Sequence, residues 1–403
     1  MPRLKVVKPG LLTTIQDAGR RGFEHVGVMV GGWMDDYSSC WANRLVGNVQ
    51  GTAVLEITLI GPELVAEGDG WLAWTGADFE VTVEGTPWPS GTSRYIRDGE
   101  SIRFGVCKDG ARAYLAAAGG FLGDEVLGSR STDLIAGIGG MGGRQIAKGD
   151  VLIYAGGPAK WVSAPVGTMI RDKRLRILPG VRRDWLAAEA WDRLVGEAYR
   201  VNARSNRVGI RLDGPELAGR APKGDAISEG MAIGAVQAPP SGELLVLTKS
   251  RGSIGGYPTL AHVITADWPV LAQLRPGEEV TFQEVDQEHA YRALSERRRE
   301  MAQPLIPVSA DHHIVSRLPG EIVRVLAPMW STVYVSRAPG GRPLAPVGSV
   351  VEQGQVLAIL EVMKQFYDLE SPVRGRVSAI HFTDGAMVHE NTVLFEIEAD
   401  ELK

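Results

Sequence analysis

Two stretches near the end of the chain repeat each other, Val347-Gly-Ser-Val-Val-Glu-Gln-Gly-Gln-Val-Leu-Ala-Ile-Leu-Glu361 and Asp384-Gly-Ala-Met-Val-His-Glu-Asn-Thr-Val-Leu-Phe-Glu-Ile-Glu398. They align at an offset of 37 residues and share a glycine, three apolar residues and a final glutamate. In each copy, apolar residues stand on both sides of a turn, which is the pattern of a strand, a turn and a second strand. Two copies of one such unit predict a small quasi-symmetric β-sandwich.

A lysine lies between the two copies, in Glu361-Val-Met-Lys-Gln-Phe366. The symmetry of the repeat places Lys364 where one copy passes into the other, so we expect it at an exposed hairpin tip. Its amine is available to a modifying enzyme, and its flexible four-carbon stem suits a group that must reach distant sites. The sequence therefore predicts a carrier lysine at position 364.

The stretch from about 312 to 398 resembles the biotin carboxyl carrier domains, in which the acceptor lysine follows a methionine. Met363-Lys364 matches this motif, and Leu326-Ala-Pro-Met-Trp330 and Ser371-Pro-Val-Arg-Gly-Arg-Val377 fall where that family places them. The resemblance implies biotin bound covalently to Lys364, with Met363 beside it, and a biotin protein ligase that attaches it. Two alternatives stay open: lipoate, although lipoyl domains usually carry Asp-Lys-Ala, and an unmodified lysine on a vestigial domain.

The composition is that of a globular protein of several domains. The 403 residues are 44% hydrophobic and 23% charged, and the 50 glycines and 23 prolines favour many short strands over long helices. The net charge of −5 gives no attraction to nucleic acid or to an anionic membrane. We find no CxxC motif, no signal-peptide pattern and no apolar run of about 18 residues, so we expect a cytoplasmic protein.

Residues 4–284 form short apolar or β-branched runs separated by turns. A Pro-Gly pair followed by Gly-Pro-Glu-Leu occurs twice, over 9–64 and 179–217, which indicates two related halves. A charged helical pattern follows, with Arg297–Arg299 expected on its solvated face, and Pro304 and Pro307 end it. The predicted domains are β halves over 1–165 and 166–284, a helix and Pro-containing linker over 285–316, and the carrier domain over 317–400.

Residues 4–284 contain seven short sequence motifs, and it is their occurrence together and in this order that is specific. This segment resembles the allophanate hydrolase subunit 2 family, which includes the C subunit of bacterial 5-oxoprolinase and one half of the urea carboxylase carboxyltransferase domain. The resemblance implies a mainly β fold of two cyclophilin-like β-barrel halves and a subunit 1 homologue as partner; a helical linker and a biotinyl/lipoyl-type β-sandwich follow. The phrases are Val7–Arg20, Gly31–Asp35, Ala42–Asn48, Leu127–Thr132, Ser205–Gly209, Gly234–Pro240 and Gly255–Pro258.

Two phrases depart from the family pattern. Ser-Asp-Arg, usual in the family, is Ser205-Asn-Arg207 here, and the acid expected near Gly-Gly-Tyr-Pro is replaced in Lys249-Ser-Arg-Gly-Ser-Ile254. Because two carboxylates are missing, a pocket built from these phrases would have fewer acids and more cations. We expect it to prefer a neutral or anionic acceptor.

Carboxyl transfer needs groups that hold the charge developing on oxygen while a proton leaves the acceptor. Arginine binds carboxylate in bidentate fashion, glycine lets the backbone approach a ligand, and tyrosine can donate or relay a proton. Each type has a structural alternative: an ion pair for arginine, a tight turn for glycine, a core position for tyrosine and a helix N-cap for aspartate. The candidates are Arg130, Arg207, Arg251, Gly255, Gly256, Tyr257, Gln237 and Asp35.

Other chemistries find no support in the pattern. No GxxxxGK[ST] P-loop occurs, and Gly137–Gly142 fits GxGxxG without a βαβ frame, so a loop is the better interpretation there. The seven histidines show neither HxH nor HExxH spacing, so no metal site is expected. Carboxylation of biotin, with ATP and bicarbonate, must then occur on a separate biotin carboxylase.

The sequence therefore predicts a carboxyltransferase subunit with its own biotin carrier domain. It would act with the subunit 1 homologue and the biotin carboxylase on an amide- or urea-like small molecule. Two alternatives remain. One is a 5-oxoprolinase- or allophanate hydrolase-type subunit of an ATP-dependent amide hydrolase that does not use biotin, and the other is a non-catalytic regulatory subunit.

Overall fold

Strands dominate the regular structure of the computed structural model, which describes residues 1–165, 172–217, 228–239, 243–308, 322–327, 331–338, 340–362, 365–389 and 392–400. The chain divides into two units, Met1–Leu305 and Ile306–Lys403. The predicted mainly β architecture is confirmed, with a closed barrel in the first unit and a β-sandwich in the second. The predicted boundaries at 165 and 284 stay predictions, and 316 lies outside the described residues.

The N-terminal half of the first unit is one antiparallel sheet with a helix against it. Alternation builds its strands: in the first strand Leu4 and Val6 are buried while Arg3 and Lys5 are exposed, as expected for a period of two. The elements are β1 Arg3–Lys8, β2 Leu12–Gln16, α1 Asp36–Leu45, β3 Val54–Thr58, β4 Glu63–Glu67, β5 Gly70–Val83, β6 Thr86–Pro87, β7 Thr92–Ile96, β8 Ser101–Ala117, β9 Val151–Ile153 and β10 Val162–Ser163.

The two long strands β5 and β8 organise this sheet. Its order is β10-β7-β5-β8-β4-β1-β9, and β8 also pairs with β3, which pairs in turn with β2. In the antiparallel pairing of β5 with β8, Leu72 is opposite Ala117 at one end and Val83 is opposite Ile102 at the other. Several register shifts lie between these ends. The apolar faces of these strands enclose a core that includes Leu55, Trp74 and Phe104.

The second half of the first unit is a closed barrel, with Leu175, Ile177, Val246 and Phe282 in its core. The elements are β11 Arg174–Pro179, α2 Ala188–Gly196, β12 Ala198–Val201, β13 Gly209–Asp213, β14 Glu229–Gly230, β15 Ala235–Gln237, β16 Leu244–Leu247, β17 Ile254–Gly255, β18 Thr259–Val263, α3 Trp268–Gln273 and β19 Glu279–Glu284. The strand order of the barrel is β11-β18-β15-β16-β13-β12-β19, and β14 and β17 form a separate pair.

Helix α4, Gln287–Met301, follows the barrel and begins at Asp286, whose side chain accepts a hydrogen bond from the His289 backbone N–H. The expectation that Arg297–Arg299 are all solvated is wrong for Arg297, which is only 5% exposed. Its guanidinium contacts Asp36 Oδ2 at 2.9 Å and donates to the Thr265 and Ala266 carbonyls. Position 297 lies one helical turn after the buried Ala293, so it shares the packed face of the helix.

The second unit is a sandwich of two four-stranded sheets. Strand β20, Ile306–Pro307, precedes the sandwich and belongs to neither of its sheets. The elements of the sandwich are β21 Ile322–Leu326, β22 Ser331–Tyr334, β23 Val350–Val351, β24 Val356–Val362, β25 Gln365–Glu370, β26 Gly375–Ile380, β27 Ala386–Val388 and β28 Val393–Ala399. The sheet orders are β21-β28-β26-β23 and β25-β24-β22-β27. The apolar core takes residues from both sheets, for example Phe395 and Ile397 from one and Leu357 and Leu360 from the other.

The sequence repeat is a structural repeat. Strand β28 begins and ends 37 residues after β24, and β27 contains the equivalents of both residues of β23. Equivalent strands lie in opposite sheets, since β24 and β27 share one sheet and β23 and β28 share the other. The two copies therefore exchange strands across the sandwich, which explains why neither copy would form a core alone.

Arg297→Ala should lower the free energy of unfolding of the first unit by about 3 kcal/mol, because Asp36 loses its buried partner and two carbonyls lose their donor. Arg298→Ala, on the exposed side of the same helix, should change it by less than about 0.5 kcal/mol. Urea denaturation followed by circular dichroism measures both. Equal effects of the two substitutions would contradict the buried position of Arg297.

Candidate functional site

The hairpin of β24 and β25 brackets the predicted carrier lysine. The strands pair as far as Val362 with Gln365. Met363 and Lys364, the two residues between them in the sequence, lie outside the described residues, so the exposed position of Lys364 stays a prediction. On β24 the Glu361 carboxylate accepts a hydrogen bond of 2.7 Å from the Tyr334 hydroxyl, which links this strand to β22.

A buried ion pair joins the two β halves of the first unit. The Arg207 guanidinium, from the segment between β12 and β13, contacts the Glu56 carboxylate at the centre of β3 and donates to the Gly32 carbonyl. Glu56 Oε2 also accepts from the Met34 N–H at 2.7 Å and the Tyr114 hydroxyl at 2.9 Å. Arg207 is 7% exposed. Its geometry fits the ion-pair alternative raised by the sequence.

Asp35 lies close to this pair and caps helix α1. Its carboxylate accepts from the backbone N–H of Ser38 at 2.9 Å, from the Ser38 hydroxyl at 2.6 Å and from Gln273 Nε2 at 2.8 Å. Complete burial raises the pKa of Asp35 to about 6. Both oxygens are occupied by protein donors, which fits the N-cap alternative better than a base that must reach a substrate.

Gln273 and Arg112 extend the contact between the halves, and no sequence motif indicated either residue. Gln273 Oε1 accepts from the backbone N–H groups of Ala111 and Arg112, both at 3.0 Å. The Arg112 guanidinium donates to the Ala272 carbonyl and lies 3.8 Å from Glu56. Arg112 and Ala272 are separated by 160 positions in the sequence, so a local pattern cannot reveal their contact.

A cavity of about 420 Å³ opens between the two halves beside this network. Both phrases that depart from the family pattern reach it, through Ser205, Asn206 and Arg207 on one side and Ser250 on the other. The Ser250 N–H donates to the Arg207 carbonyl at 2.8 Å, which holds the two phrases together. The wall also includes Arg112, Asp133, Leu11, Leu59, Leu134, Ile135 and Leu274.

Asn206 supplies a turn at the cavity wall. Its side-chain oxygen accepts from the Val208 N–H at 2.8 Å. An aspartate could accept the same hydrogen bond. The asparagine therefore keeps the turn and removes a negative charge from the wall, which fits the expectation of a pocket suited to a neutral or anionic acceptor.

The sequence indicated no role for Lys249 beyond its place in the phrase Lys249–Ile254, in which the acid usual in the family is missing. In the structure it is 6% exposed, and its ammonium lies 4.8 Å from the centre of the Trp268 ring. Burial lowers its pKa to about 8. The apolar run Leu244–Leu247, which ends two positions before the lysine, was the available sign of its burial.

Arg251 is also buried, with Nε donating to the Met231 carbonyl at 2.7 Å. Burial lowers its pKa, and the charge of Glu24 acts in the opposite direction. Met231 connects Arg251 to the predicted glycine pair, because a Cβ on Gly255 would overlap the Met231 sulfur. A side chain at 255 would therefore require the flexible Met231 side chain to move.

The remaining candidates lie apart from the cavity wall. Tyr257 is 47% exposed, so it is not a core residue, and its backbone carbonyl accepts from the buried Gln237 amide at 3.3 Å. Gly256 precedes it on the same exposed segment. Arg130 forms an exposed ion pair with Glu125 at 2.8 Å. Of the eight candidates, Arg207 is the one that lines the cavity, and Arg251 follows Ser250 directly.

The described residues contain no group of three or more His, Cys, Asp or Glu side chains arranged to hold a metal ion. Among the helices in these parts of the chain, none has the length and apolar character needed to cross a bilayer.

Family models match both parts of the chain. The model described as carboxyltransferase domain, subdomain A and B, matches residues 26–284, and the model described as biotin-requiring enzyme matches residues 323–397. Both resemblances expected from the sequence are thereby confirmed. The chain combines a carboxyltransferase part with a biotin carrier part.

Individual proteins agree with this division. The chain is 34% identical to the C subunit of 5-oxoprolinase from Escherichia coli K12 over 301 residues, which are 74% of this chain and 97% of that protein. Over 87 residues it is 37% identical to the biotin carboxyl carrier protein of acetyl-CoA carboxylase of Cyanidium caldarium, covering 22% of this chain and 57% of that protein. The crystal structure of Kluyveromyces lactis urea carboxylase matches 89% of this chain, with a TM-score of 0.70 and 25% identity. This chain spans 33% of that urea carboxylase chain.

Arg207→Met should lower the free energy of unfolding by about 3 kcal/mol or more, because the Glu56 carboxylate remains buried without its closest cation. Adding Glu56→Gln to Arg207→Met should recover part of the loss, since both charges are then removed. The control is Arg204→Met, which breaks a pair whose arginine is exposed and should cost less than about 1 kcal/mol. Denaturant titration measures the free energy of unfolding of each variant. If Arg207→Met lowers it no more than Arg204→Met does, the structural role of Arg207 is refuted.

Lys249→Met should stabilise the protein at pH 7 by up to about 3 kcal/mol, because folding lowers the lysine pKa from 10.5 to about 8 and so opposes the charged form. Below pH 8 the full penalty is present in the wild type. Between pH 8 and 10.5 the unfolded chain binds more protons than the folded chain, so wild-type stability rises and the difference narrows.

Denaturant titrations of wild type and Lys249→Met at about pH 7 and about pH 9.5, on either side of the lowered pKa, measure this convergence. Lys148→Met, at an exposed lysine, should track the wild type at both pH values. A constant difference between wild type and Lys249→Met across the two pH values would show that the lysine does not titrate in this range.

Proposed function

The chain belongs to the family of carboxyltransferase domains with subdomains A and B, and on that premise we propose that it is a subunit of a biotin-dependent carboxylase. It moves a carboxyl group from carboxybiotin to an amide- or urea-like small molecule. The observation that carries the proposal is the presence of a carboxyltransferase part and a biotin carrier part in one chain.

Lys364 is the proposed attachment site of biotin. The Met-Lys motif lies between β24 and β25, and the described ends of these strands are paired on either side of it. The sandwich around this motif has an apolar core and an internal repeat, which supports the proposed carrier role. Biotin supplies the carboxyl group when it is bound, and the flexible lysine stem lets that group reach a second site.

The cavity between the two β halves is the proposed acceptor site. Its wall is largely apolar and carries hydroxyl, amide and guanidinium groups from Ser205, Ser250, Asn206 and Arg207. Such a wall can orient a small amide or urea by hydrogen bonds. Arg112 and Arg207 share the Glu56 carboxylate, so positive charge is available to stabilise an oxygen that gains negative charge in the reaction.

Other proteins would supply the remaining steps of this proposal. A biotin carboxylase would use ATP and bicarbonate to load the biotin, a subunit 1 homologue would complete the carboxyltransferase, and a biotin protein ligase would attach the cofactor. The match to a third of the urea carboxylase chain supports this division, because that larger protein contains much sequence with no counterpart here. A cytoplasmic location remains part of the proposal.

A second function is favoured by one observation, the 34% identity to the C subunit of 5-oxoprolinase over 97% of that protein. In this alternative the chain is a subunit of an ATP-dependent amide hydrolase, and biotin takes no part in turnover. That relative has almost no length left for a counterpart of the biotin carrier part. The two proposed functions therefore differ in whether turnover needs the biotin carrier part. Substitution of Lys364 tests this difference.

Lys364→Ala should abolish both biotinylation and carboxyl transfer, because no other residue in the proposal carries the cofactor. Co-expression with a biotin protein ligase and intact mass measurement test the first effect. Transfer of labelled bicarbonate to acceptor amides and ureas, with biotin carboxylase and the subunit 1 homologue present, tests the second.

Lys364→Arg is the matched variant, since it keeps the positive charge but removes the primary amine. It should behave like Lys364→Ala in both measurements. Turnover that is unaffected by either substitution would favour the amide hydrolase function. A wild-type chain that stays unmodified would contradict the biotin proposal itself.

A further inference from the structure

The geometry points to a carboxylate-binding site formed by Lys249 and Arg251, the two residues that flank Ser250 of the cavity wall. The ligand is a small molecule with a carboxylate group, either the acceptor or the carboxyl group carried by biotin. The inference rests on the proposed function only for the origin of that carboxylate. The binding site itself can be tested without turnover.

Both cations are buried without a carboxylate in contact. Lys249 is 6% and Arg251 8% exposed, and no ion pair of either residue occurs within the described parts of the chain. Arg207 and Arg297, which are equally buried, each contact a carboxylate oxygen, from Glu56 and Asp36. Burial of a cation without an anion in contact is unfavourable. A bound anion would offset this cost for Lys249 and Arg251.

Arg251 has an unused donor. Its Nε donates to the Met231 carbonyl, but Nη1 is buried and has no hydrogen-bond partner in the described structure. The guanidinium group presents N–H donors in a planar fork that matches a carboxylate. The Lys249 ammonium adds three donors, and the contact found for it is the face of the Trp268 ring.

Both carboxylates and cations act on the two residues. At Lys249 the charge of Asp36 favours the ammonium form, while Arg21, Arg207 and Arg251 oppose it. At Arg251 Glu24 acts favourably and Arg21 unfavourably. A bound carboxylate would add to the favourable charge at Lys249, and it would raise the lysine pKa above about 8. Binding should therefore weaken as the pH rises past the pKa of the free site.

Malonate is the probe, and malonamide is its neutral counterpart. Isothermal titration of the full-length Lys364→Ala chain, which cannot carry biotin, should show that malonate binds more tightly than malonamide and that only malonate binding depends on Lys249 and Arg251. Lys249→Met and Arg251→Met should each weaken malonate binding at least about tenfold, the loss expected for one charge-assisted contact. Lys148→Met, at an exposed lysine, should leave it unchanged. Raising the pH from about 7 to about 9.5 should weaken binding to the wild type more than to Lys249→Met.

A second arm tests the carboxyl group of biotin. Wild-type, Lys249→Met and Arg251→Met chains are loaded with labelled carboxybiotin by a biotin carboxylase, and loss of the label is followed without acceptor. A severalfold change in that rate in both variants, with malonate binding absent, assigns the site to carboxybiotin. Malonate binding on the biotin-free chain assigns it to the acceptor.

The inference is overturned if both measurements are unaffected by substitution of Lys249 and Arg251. Lys249→Met is the decisive variant, because the structure predicts that it folds more stably than the wild type. If the wild-type chain is not biotinylated, the carboxybiotin measurement cannot be made, and this outcome counts against the proposed function. The malonate titration uses a chain without biotin, so it still tests the inferred binding site.

Discussion

The contact between Arg207 and Glu56 is the constraint on which the arrangement of the first unit depends. The arginine comes from the barrel and the glutamate from the N-terminal sheet, and both are buried. Neither charge is tolerable alone in that environment, so the two halves must come together for either side chain to be satisfied. The cavity is lined by residues of both halves, and this contact, together with those of Arg112 and Gln273, holds its two sides in place.

Glu56 has a wider role than that of one partner in a pair. Its two oxygens receive the Arg207 guanidinium, the Tyr114 hydroxyl and the Met34 N–H, and Arg112 lies within 3.8 Å. A carboxylate with several donors is held in one orientation. The two arginines of the cavity wall, Arg112 and Arg207, thus share one buried anion from the N-terminal half.

The carrier part is held together by an apolar core built from its two sequence repeats, whereas the first unit depends on a buried ion pair. Equivalent strands of the two copies, such as β24 and β28, lie in opposite sheets and contribute to one core. The hairpin of β24 and β25 lies where one copy passes into the other, and its strands pair as far as Val362 and Gln365.

The sequence by itself determined the β-rich class, the C-terminal repeat, the Met363-Lys364 motif and the two family resemblances, because each rests on local periodicity or on residues adjacent in the chain. Only the tertiary structure decided that Arg207 pairs with Glu56, that Asp35, for which the sequence already offered a helix N-cap role, also accepts from Gln273, and that Lys249 is buried against Trp268. These contacts join residues up to 238 positions apart. Burial and charge pairing arise only when distant strands meet, so no local pattern can specify them.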